Sequence, residues 1–334
     1  MTPVLSVWTQ FAACVLLVGV AGVRLIRYGD ALAGLAGISR SWVGLILVAT
    51  VTSLPELVTG LSAVTIAAAP DIAVGDALGS CVFNLAILAI LDVLYRKDAV
   101  YAVASAGHIL SAGFGVILLA AAALILLLGA RDILPQVGHV GGGSLVIVAL
   151  YAWALRTIYL AERRQRVESE QNRPAMSLKS ALVGYVAAAM VIIAAGTWLP
   201  LLSVELARIM GWSNSFVGTL FVALATSIPE LATTLGALRA GAIDMAIGNL
   251  LGSNLFDVLI LAIDDMAYVA GPLYARVSPL HLLSALSACL MSGAVVVGLA
   301  YRPASRVWHT GSWVSIGLLA VYLLNSWVQY LHSR

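Results

Sequence analysis

Long apolar segments separated by short polar loops constrain this chain more than any other feature of its sequence. Ten of them have the roughly 20 residues that an α-helix needs to cross the ~30 Å hydrocarbon core of a membrane. Of the 334 residues, 61% are hydrophobic and only 10% are charged, against about 25% charged in a typical soluble chain. The sequence therefore predicts an all-α integral membrane protein with ten transmembrane helices, near residues 5–27, 41–68, 71–95, 105–129, 142–161, 179–201, 214–239, 242–266, 280–301 and 310–331.

The basic residues predict the orientation, because cytoplasmic loops carry an excess of Lys and Arg. When the loops are assigned alternately to the two sides, fourteen of the 18 basic residues fall on one side. The other side collects only Arg131, Arg208, Arg276 and Arg334. Both termini are therefore expected to be extracytoplasmic, with the protein in the cell (inner) membrane of a prokaryote.

Other residue classes give little indication of further partners. The net charge of +2, with the basic residues in loops, does not favour nucleic-acid binding, and no cofactor or protein partner is indicated. Cys14, Cys81 and Cys289 lie in apolar segments without CxxC spacing and are expected to be buried side chains. The five histidines are scattered and are expected at interfaces or in loops. Three aspartates near span ends are expected to be solvated rather than ligands: Asp92, Asp264 and Asp265.

An internal repeat divides the chain into two halves of five predicted spans. GISRSWVGLILVATVTSLPELVTGL, from Gly37, aligns without gaps on GWSNSFVGTLFVALATSIPELATTL, from Gly211, with fourteen of 25 residues identical. The similarity resumes in GDALGSCVFN, from Gly75, and GNLLGSNLFD, from Gly248. Because five is odd, the second copy must insert with the opposite orientation, as is typical of secondary transporters. We predict an N-terminal repeat at 1–160, a cytoplasmic linker at 161–178 and an inverted C-terminal repeat at 179–334.

Each half carries the motif Thr-Ser-x-Pro-Glu in the middle of its second span, which is the second or seventh of the chain. Proline has no N–H, so each motif is expected to break its helix and free a carbonyl, which membranes tolerate only beside a cavity or a ligand. Glu56 and Glu230 end the two motifs. A carboxylate at this depth costs about 2.5–3.5 kcal/mol on insertion scales. No Lys or Arg lies in the middle of a predicted span, so a bound cation or a proton is the expected counter-charge.

Polar residues recur at intervals of four on the third and eighth spans, which places them on one helix face. Together with the motif residues they form an all-oxygen ligand set, which suits the 6–8 oxygen ligands of Ca²⁺ better than zinc or copper. The glycines at 75, 79, 248 and 252 are expected to let helix backbones pack closely. The predicted ligands are the side chains of Glu56, Glu230, Asp257, Asn84, Ser53, Ser80, Ser227 and Ser253, and carbonyls near Ala49, Thr52, Ala223 and Thr226.

TSLPEL with GSCVFN, and TSIPEL with GSNLFD, resemble the two alpha repeats of the cation/calcium antiporter superfamily, closest to its sodium/calcium exchanger branch. The resemblance covers both repeats and the ten-span layout. It implies an antiporter in which Glu56, Asn84, Glu230 and Asp257 form a central diamond of cation ligands, supported by the four serines. It also implies that the first and sixth spans slide against the other helices to give alternating access.

The first copy departs from the family pattern, which commonly has Asn in GN-x-x-GSN. Here Asp76 and Cys81 occupy those positions, while the second copy keeps Asn249 and Asn254. Asp76 is thereby a candidate fourth carboxylate, and the number and kind of counter-ions stay open.

Three functions remain open. The first is exchange of Ca²⁺ for Na⁺, because several monovalent ions or one divalent ion would neutralise the carboxylates in turn. The second is exchange of Ca²⁺ or another divalent cation for H⁺, since a desolvated carboxylate near like charges binds a proton, and Asp76 favours this. The remote third is an intramembrane aspartyl protease, suggested by the Gly75-Asp76 pair, although a protease would not require the duplicated Thr-Ser-x-Pro-Glu motif.

Overall fold

Long helices make up most of the structure, a computed structural model that describes residues 3–35, 49–164, 176–303 and 311–333. Eight of the described helices are long and apolar enough to cross a membrane. The pair Asn214–Thr226 and Ile228–Arg239, bent by 41°, is a ninth candidate span. Part of the predicted second span, residues 41–48, lies outside the described residues, so the count of ten spans stays a prediction.

The two halves contain corresponding elements. The first half consists of α1 (Pro3–Leu35), α2 (Ala49–Thr52), α3 (Leu54–Thr65), α4 (Pro70–Leu94), α5 (Val100–Val103), α6 (Gly107–Gly129), an antiparallel pair of two-residue strands, β1 (Gln136–Val137) and β2 (Val140–Gly141), and α7 (Gly142–Arg164). The second half consists of α8 (Leu178–Met210), α9 (Asn214–Thr226, with a π-helical stretch at Val217–Val222), α10 (Ile228–Arg239), α11 (Ile243–Ala267), a 3₁₀ turn (Leu273–Ala275), α12 (Leu280–Tyr301) and α13 (Trp313–Leu331).

Three pairs of corresponding helices have equal lengths in the two halves. Helices α1 and α8 have 33 residues each, α3 and α10 have 12 each, and α4 and α11 have 25 each. The repeat in the sequence is therefore also a repeat of helices. The inverted orientation, the position of the termini and the boundaries at 160 and 179 stay predictions, and residues 165–175 of the linker lie outside the described residues.

Both Thr-Ser-x-Pro-Glu motifs interrupt a helix at their serine. Ser53 has φ −84° and ψ 13°, and Ser227 has φ −83° and ψ 7°, which is the sparsely populated region between helix and strand. Pro55 and Pro229 then lie in the first turn of the next helix, where a missing N–H removes no hydrogen bond. Each break also places its glutamate in that first turn, where the helix dipole favours negative charge.

Helices α4 and α11 form the centre of the bundle and contact each other and the broken helices. In their apolar windows 78% and 89% of the residues are buried, compared with 33% in α1 and 28% in α8. Helix α1 packs against α8 and α10, and α8 packs against α1 and α3. Each outer helix therefore contacts the broken helix of the other half.

Glycines allow close approach at two of the four predicted positions. A Cβ at Gly75 would lie 2.9 Å from the backbone nitrogen of Thr219, and one at Gly79 would meet the Thr219 carbonyl oxygen. The backbone of α4 therefore lies directly against the π-helical stretch of α9. For Gly248 and Gly252 close packing stays a prediction.

The expectation that the aspartates at span ends are solvated is wrong. Asp92 and Asp265 are buried, and each accepts hydrogen bonds from two backbone N–H groups and one serine hydroxyl. For Asp265 the donors are Gly141 N (2.8 Å), Leu273 N (2.7 Å) and the hydroxyl of Ser144. For Asp92 they are Val100 N, Ser312 N and the hydroxyl of Ser315, all at 2.7 Å. The chain folds back over each helix end, and the carboxylate binds the returning segment.

The histidines also differ from expectation, because His281 is fully buried. Its Nε2 lies 2.9 Å from Asp71 Oδ1, which also accepts from Ser278 N at 2.7 Å. The same arrangement recurs in the other half, where Asp244 contacts His108 and Ser105 N. These contacts fix the first turns of α4 and α11 against the segments that lead into α12 and α6.

Replacing Asp265 with Ala should lower the melting temperature of the detergent-purified protein. The substitution leaves two buried N–H groups without an acceptor, and a hydrogen bond to a charged group contributes about 1.5–3 kcal/mol. Thermal unfolding followed by intrinsic fluorescence would measure the shift. Asp98→Ala, at an exposed position, is the control. An equal melting temperature for both variants would contradict the structural role of Asp265.

Candidate functional site

The predicted site residues come together in one buried cluster between the two breaks and the two central helices. Glu56 and Glu230 are 1% and 0% exposed, and Asp257 on α11 and Asn84 on α4 are 1% exposed each. The cluster combines residues of both halves, because each broken helix lies beside the central helix of the other half as well as its own.

Each break supplies a serine to the glutamate of the other half. The hydroxyl of Ser227 donates to Glu56 Oε1 at 3.4 Å, and that of Ser53 donates to Glu230 Oε1 at 3.5 Å. The two breaks therefore face each other, with the glutamates related by the repeat.

The polar stripes of α4 and α11 complete the cluster. Asn84 Nδ2 donates to Asp257 Oδ2 at 3.4 Å. The hydroxyl oxygens of Ser80 and Ser227 lie 3.0 Å apart, and the hydroxyl of Ser253 donates to Glu230 Oε1 at 3.4 Å. Residues that are 173 positions apart in sequence are thus direct neighbours in space.

The threonines of the two motifs also make equivalent contacts. Thr226 Oγ1 donates to Asp76 Oδ1 at 2.8 Å, and Thr52 Oγ1 donates to Asn249 Oδ1 at 3.3 Å. Asp76 is 1% exposed, so it lies inside the bundle and not at a water-filled mouth. The departure from the family pattern has therefore added a buried carboxylate at a position where the second half has an amide.

The backbone carbonyls of the predicted set are less clearly placed. Ala223 O accepts from Ser227 N at 3.1 Å, so it already has a partner within the helix. Ala49 begins α2. The roles of these carbonyls as ligands stay predictions.

Cys81 also lies beside the cluster, although its sequence position indicated only a buried side chain. Its sulfur lies 4.0 Å from Asp257 Oδ2 and 3.7 Å from Asn254 O, and Asn254 Nδ2 donates to Cys81 O at 3.1 Å. Cys81 precedes Asn84 by three residues, and residues three apart are neighbours on a helix as much as residues four apart. The three-residue spacing between Cys81 and Asn84 therefore indicates that both side chains lie near the cluster.

Within the described residues, no basic side chain compensates the four carboxylates of the cluster. The ion pairs found there involve none of them. One oxygen of each lacks a hydrogen-bond partner: Glu56 Oε2, Asp76 Oδ2, Glu230 Oε2 and Asp257 Oδ1. Four uncompensated carboxylates in an apolar bundle require protons or cations as counter-charges.

The cluster has a chemistry suited to hard cations. In the described part of the chain, no group of three His, Cys, Asp or Glu side chains converges closely enough to hold a metal by itself. A cation in the cluster would therefore also need hydroxyl and amide oxygens. Asn84 Oδ1 is one such oxygen, since it is buried without a donor.

Replacing Thr226 with Val should destabilise the protein through Asp76. The buried carboxylate would lose its hydroxyl donor, and an unsatisfied buried group costs about 1–3 kcal/mol. In an Asp76→Asn background the same substitution should cost less, because a neutral amide is cheaper to leave unpaired. Melting temperatures of the four proteins in cation-free detergent buffer form a double-mutant cycle. Additive shifts would contradict the contact.

Comparisons with known proteins identify a family and several relatives that this chain resembles. The profile described as "Sodium/calcium exchanger protein" matches residues 6–160 and 180–331. The inner membrane protein YrbG of Escherichia coli is 28% identical over 254 residues, which cover 74% of this chain and 75% of that protein. A crystal structure of the H⁺/Ca²⁺ exchanger CAX superposes with a TM-score of 0.71 at 16% identity, covering 97% of this chain and 86% of the other. The sodium-calcium exchanger NCX_Mj has a TM-score of 0.60 at 22% identity, covering 96% and 98%. At these identities the two structures share the fold.

Proposed function

The chain belongs to the sodium/calcium exchanger family, and from this membership we propose that it is a secondary active antiporter that exchanges Ca²⁺ for Na⁺. The observation that carries the proposal is the cluster of buried carboxylates without a basic partner. Such a cluster is unstable without counter-charge, and in a transporter the exchanged ions supply that charge.

The proposed ligands are the acidic and amide side chains of the cluster with the hydroxyls around them. Glu56, Glu230 and Asp257 supply the negative charge, and Asn84 supplies an amide oxygen that has no donor. Thr52, Thr226, Ser53, Ser80, Ser227 and Ser253 surround them at hydrogen-bond distances. Ca²⁺ takes 6–8 oxygens in flexible geometry, which such a set can satisfy.

Exchange follows from the charge of the cluster. The three proposed carboxylate ligands, Glu56, Glu230 and Asp257, are neutralised largely by one divalent ion or fully by three monovalent ions. Binding of the divalent ion together with all three monovalent ions would leave excess positive charge in the apolar interior. Because each kind of ion excludes the other, release of one is linked to binding of the other.

Alternating access is proposed to involve α1 and α8. These two helices pack against each other and against the broken helices α3 and α10. At the contacts with the broken helices they present glycines, since Gly22 lies against Pro229 and Gly196 lies against Val58. Small residues let helix backbones approach closely, so these glycines mark the contacts that would shift in such a motion.

A second candidate function is exchange of Ca²⁺ or another divalent cation for H⁺ at the same cluster. Asp76 favours it, because a fourth buried carboxylate adds negative charge next to the break at Ser227. Membership in a family of cation exchangers argues against the intramembrane protease. We place the protein in the cell (inner) membrane, with both termini extracytoplasmic.

Replacing Glu56 with Gln should reduce Ca²⁺ exchange to the level of protein-free vesicles, because the cluster loses a charge that binds cations. Uptake of ⁴⁵Ca²⁺ into Na⁺-loaded proteoliposomes measures the effect. Glu205→Gln is the matched control, since Glu205 is exposed and pairs with Arg208. Full exchange by the Glu56→Gln protein would remove the basis of the proposed site.

Comparison of two driving gradients distinguishes the two candidate functions. Proteoliposomes with an outward Na⁺ gradient at equal pH should take up Ca²⁺ faster than Na⁺-free vesicles with an outward H⁺ gradient. If the Na⁺-free vesicles transport as fast, the protein exchanges Ca²⁺ for H⁺.

A further inference from the structure

Asp264 is a buried carboxylate that the proposed function does not use. It is 0% exposed, and neither of its oxygens has a hydrogen-bond partner among the described residues. The adjacent Asp265 accepts three hydrogen bonds and is fully explained by its structural contacts. An ionised carboxylate without donors or counter-charge is costly to bury, so Asp264 requires a ligand or a proton.

Asp264 lies on the same side of α11 as the central cluster. It follows Asp257 by seven residues on α11, which is nearly two helical turns and the same helix face. On α3, Gly60 follows Glu56 by four residues and shares its face. A Cβ at Gly60 would lie 2.5 Å from Asp264 Oδ2 and 2.8 Å from Oδ1. The carboxylate therefore lies against the backbone of α3, about one turn beyond Glu56.

The arrangement is present in one half only. The repeat aligns Asp264 with Leu91 and Gly60 with Thr234. At the corresponding place on the other side of the cluster, the repeat thus puts a leucine where this side has a carboxylate. The orientation predicted from the basic residues puts Asp264 between the cluster and the extracytoplasmic face.

We propose that Asp264, against the α3 backbone at Gly60, is a second binding position for an exchanged hard cation, on the extracytoplasmic side of the central cluster. Glycine at position 60 leaves the space that the carboxylate occupies. A cation bound to this carboxylate would lie between α3 and α11, about one helical turn from Glu56. The proposal rests on the proposed exchange function.

The Asp264→Asn substitution tests whether this residue affects Ca²⁺ binding from one side of the membrane only. Ca²⁺ exchange is measured in right-side-out and in everted vesicles as a function of the Ca²⁺ concentration outside the vesicle. We expect the half-saturating concentration to rise about tenfold on the extracytoplasmic side, the size of effect that loss of one weak contact gives, and to stay unchanged on the cytoplasmic side. No shift, or an equal shift on both sides, would overturn the proposal, because a residue that only supports the fold acts without sidedness.

A second variant reaches the same position without removing charge. Gly60→Ala places a methyl group against the Asp264 carboxylate and should give the same one-sided shift. Gly236→Ala, on α10, is the matched control, since nothing lies within 4 Å of the added methyl group. Equal behaviour of the two alanine variants would contradict the proposal.

A direct measurement of Ca²⁺ binding distinguishes failure of this proposal from failure of the proposed exchange function. Equilibrium dialysis of purified Glu56→Gln protein with ⁴⁵Ca²⁺ should show residual weak binding that Asp264→Asn removes. If the wild-type protein exchanges no Ca²⁺ but this binding is found, the exchange function fails and the cation position stands. If Asp264→Asn leaves the residual binding unchanged, the cation position is wrong whatever the exchange assays show.

Discussion

Burial of carboxylates without basic partners is the constraint on which the arrangement of this protein depends. Glu56 and Glu230 lie in an apolar bundle and receive their hydroxyl donors from Ser227 and Ser53 of the opposite halves. Glu230 also accepts from Ser253 of its own half, but the donors at the two breaks come from across the repeat. The two halves must therefore pack with their breaks face to face, and the central position of α4 and α11 follows, since their polar stripes supply the remaining contacts.

Hydrogen-bond satisfaction divides the buried acids into two classes. Asp92 and Asp265 each accept two backbone N–H groups and a serine hydroxyl, so the fold itself stabilises their charge. The acids of the central cluster each keep an oxygen without a partner, and Asp264 keeps two. Acids of the first class hold helix ends in place. Acids of the second class lack such donors, so each needs a proton or a cation from outside the chain.

The sequence predicted the features that depend on local chemistry. Proline and the repeated motif located the breaks at Ser53 and Ser227, and four-residue spacing predicted which polar residues of α4 and α11 meet. The sequence-based prediction was wrong where segments distant in the sequence fold back over a helix end. Hydropathy places Asp265 near a span end, but it carries no information that β2 and the 3₁₀ turn fold over that end. His281 was missed for the same reason, because its partner Asp71 lies on another helix.

Differences between the halves carry information that their similarity does not. With identical halves, an inverted repeat would make the inward-open and outward-open states equal in free energy and the two faces equal in affinity. Here α4 has its carboxylate at Asp76 and its amide at Asn84, whereas α11 has the amide at Asn249 and the carboxylate at Asp257. The two stripes have equal charge, but the carboxylate stands at a different position along each helix. Asp264 adds a further charge on one side only, so exchanging the roles of the two halves does not return the same electrostatic environment. Any difference in affinity between the two faces is therefore set by the few positions at which the repeats disagree.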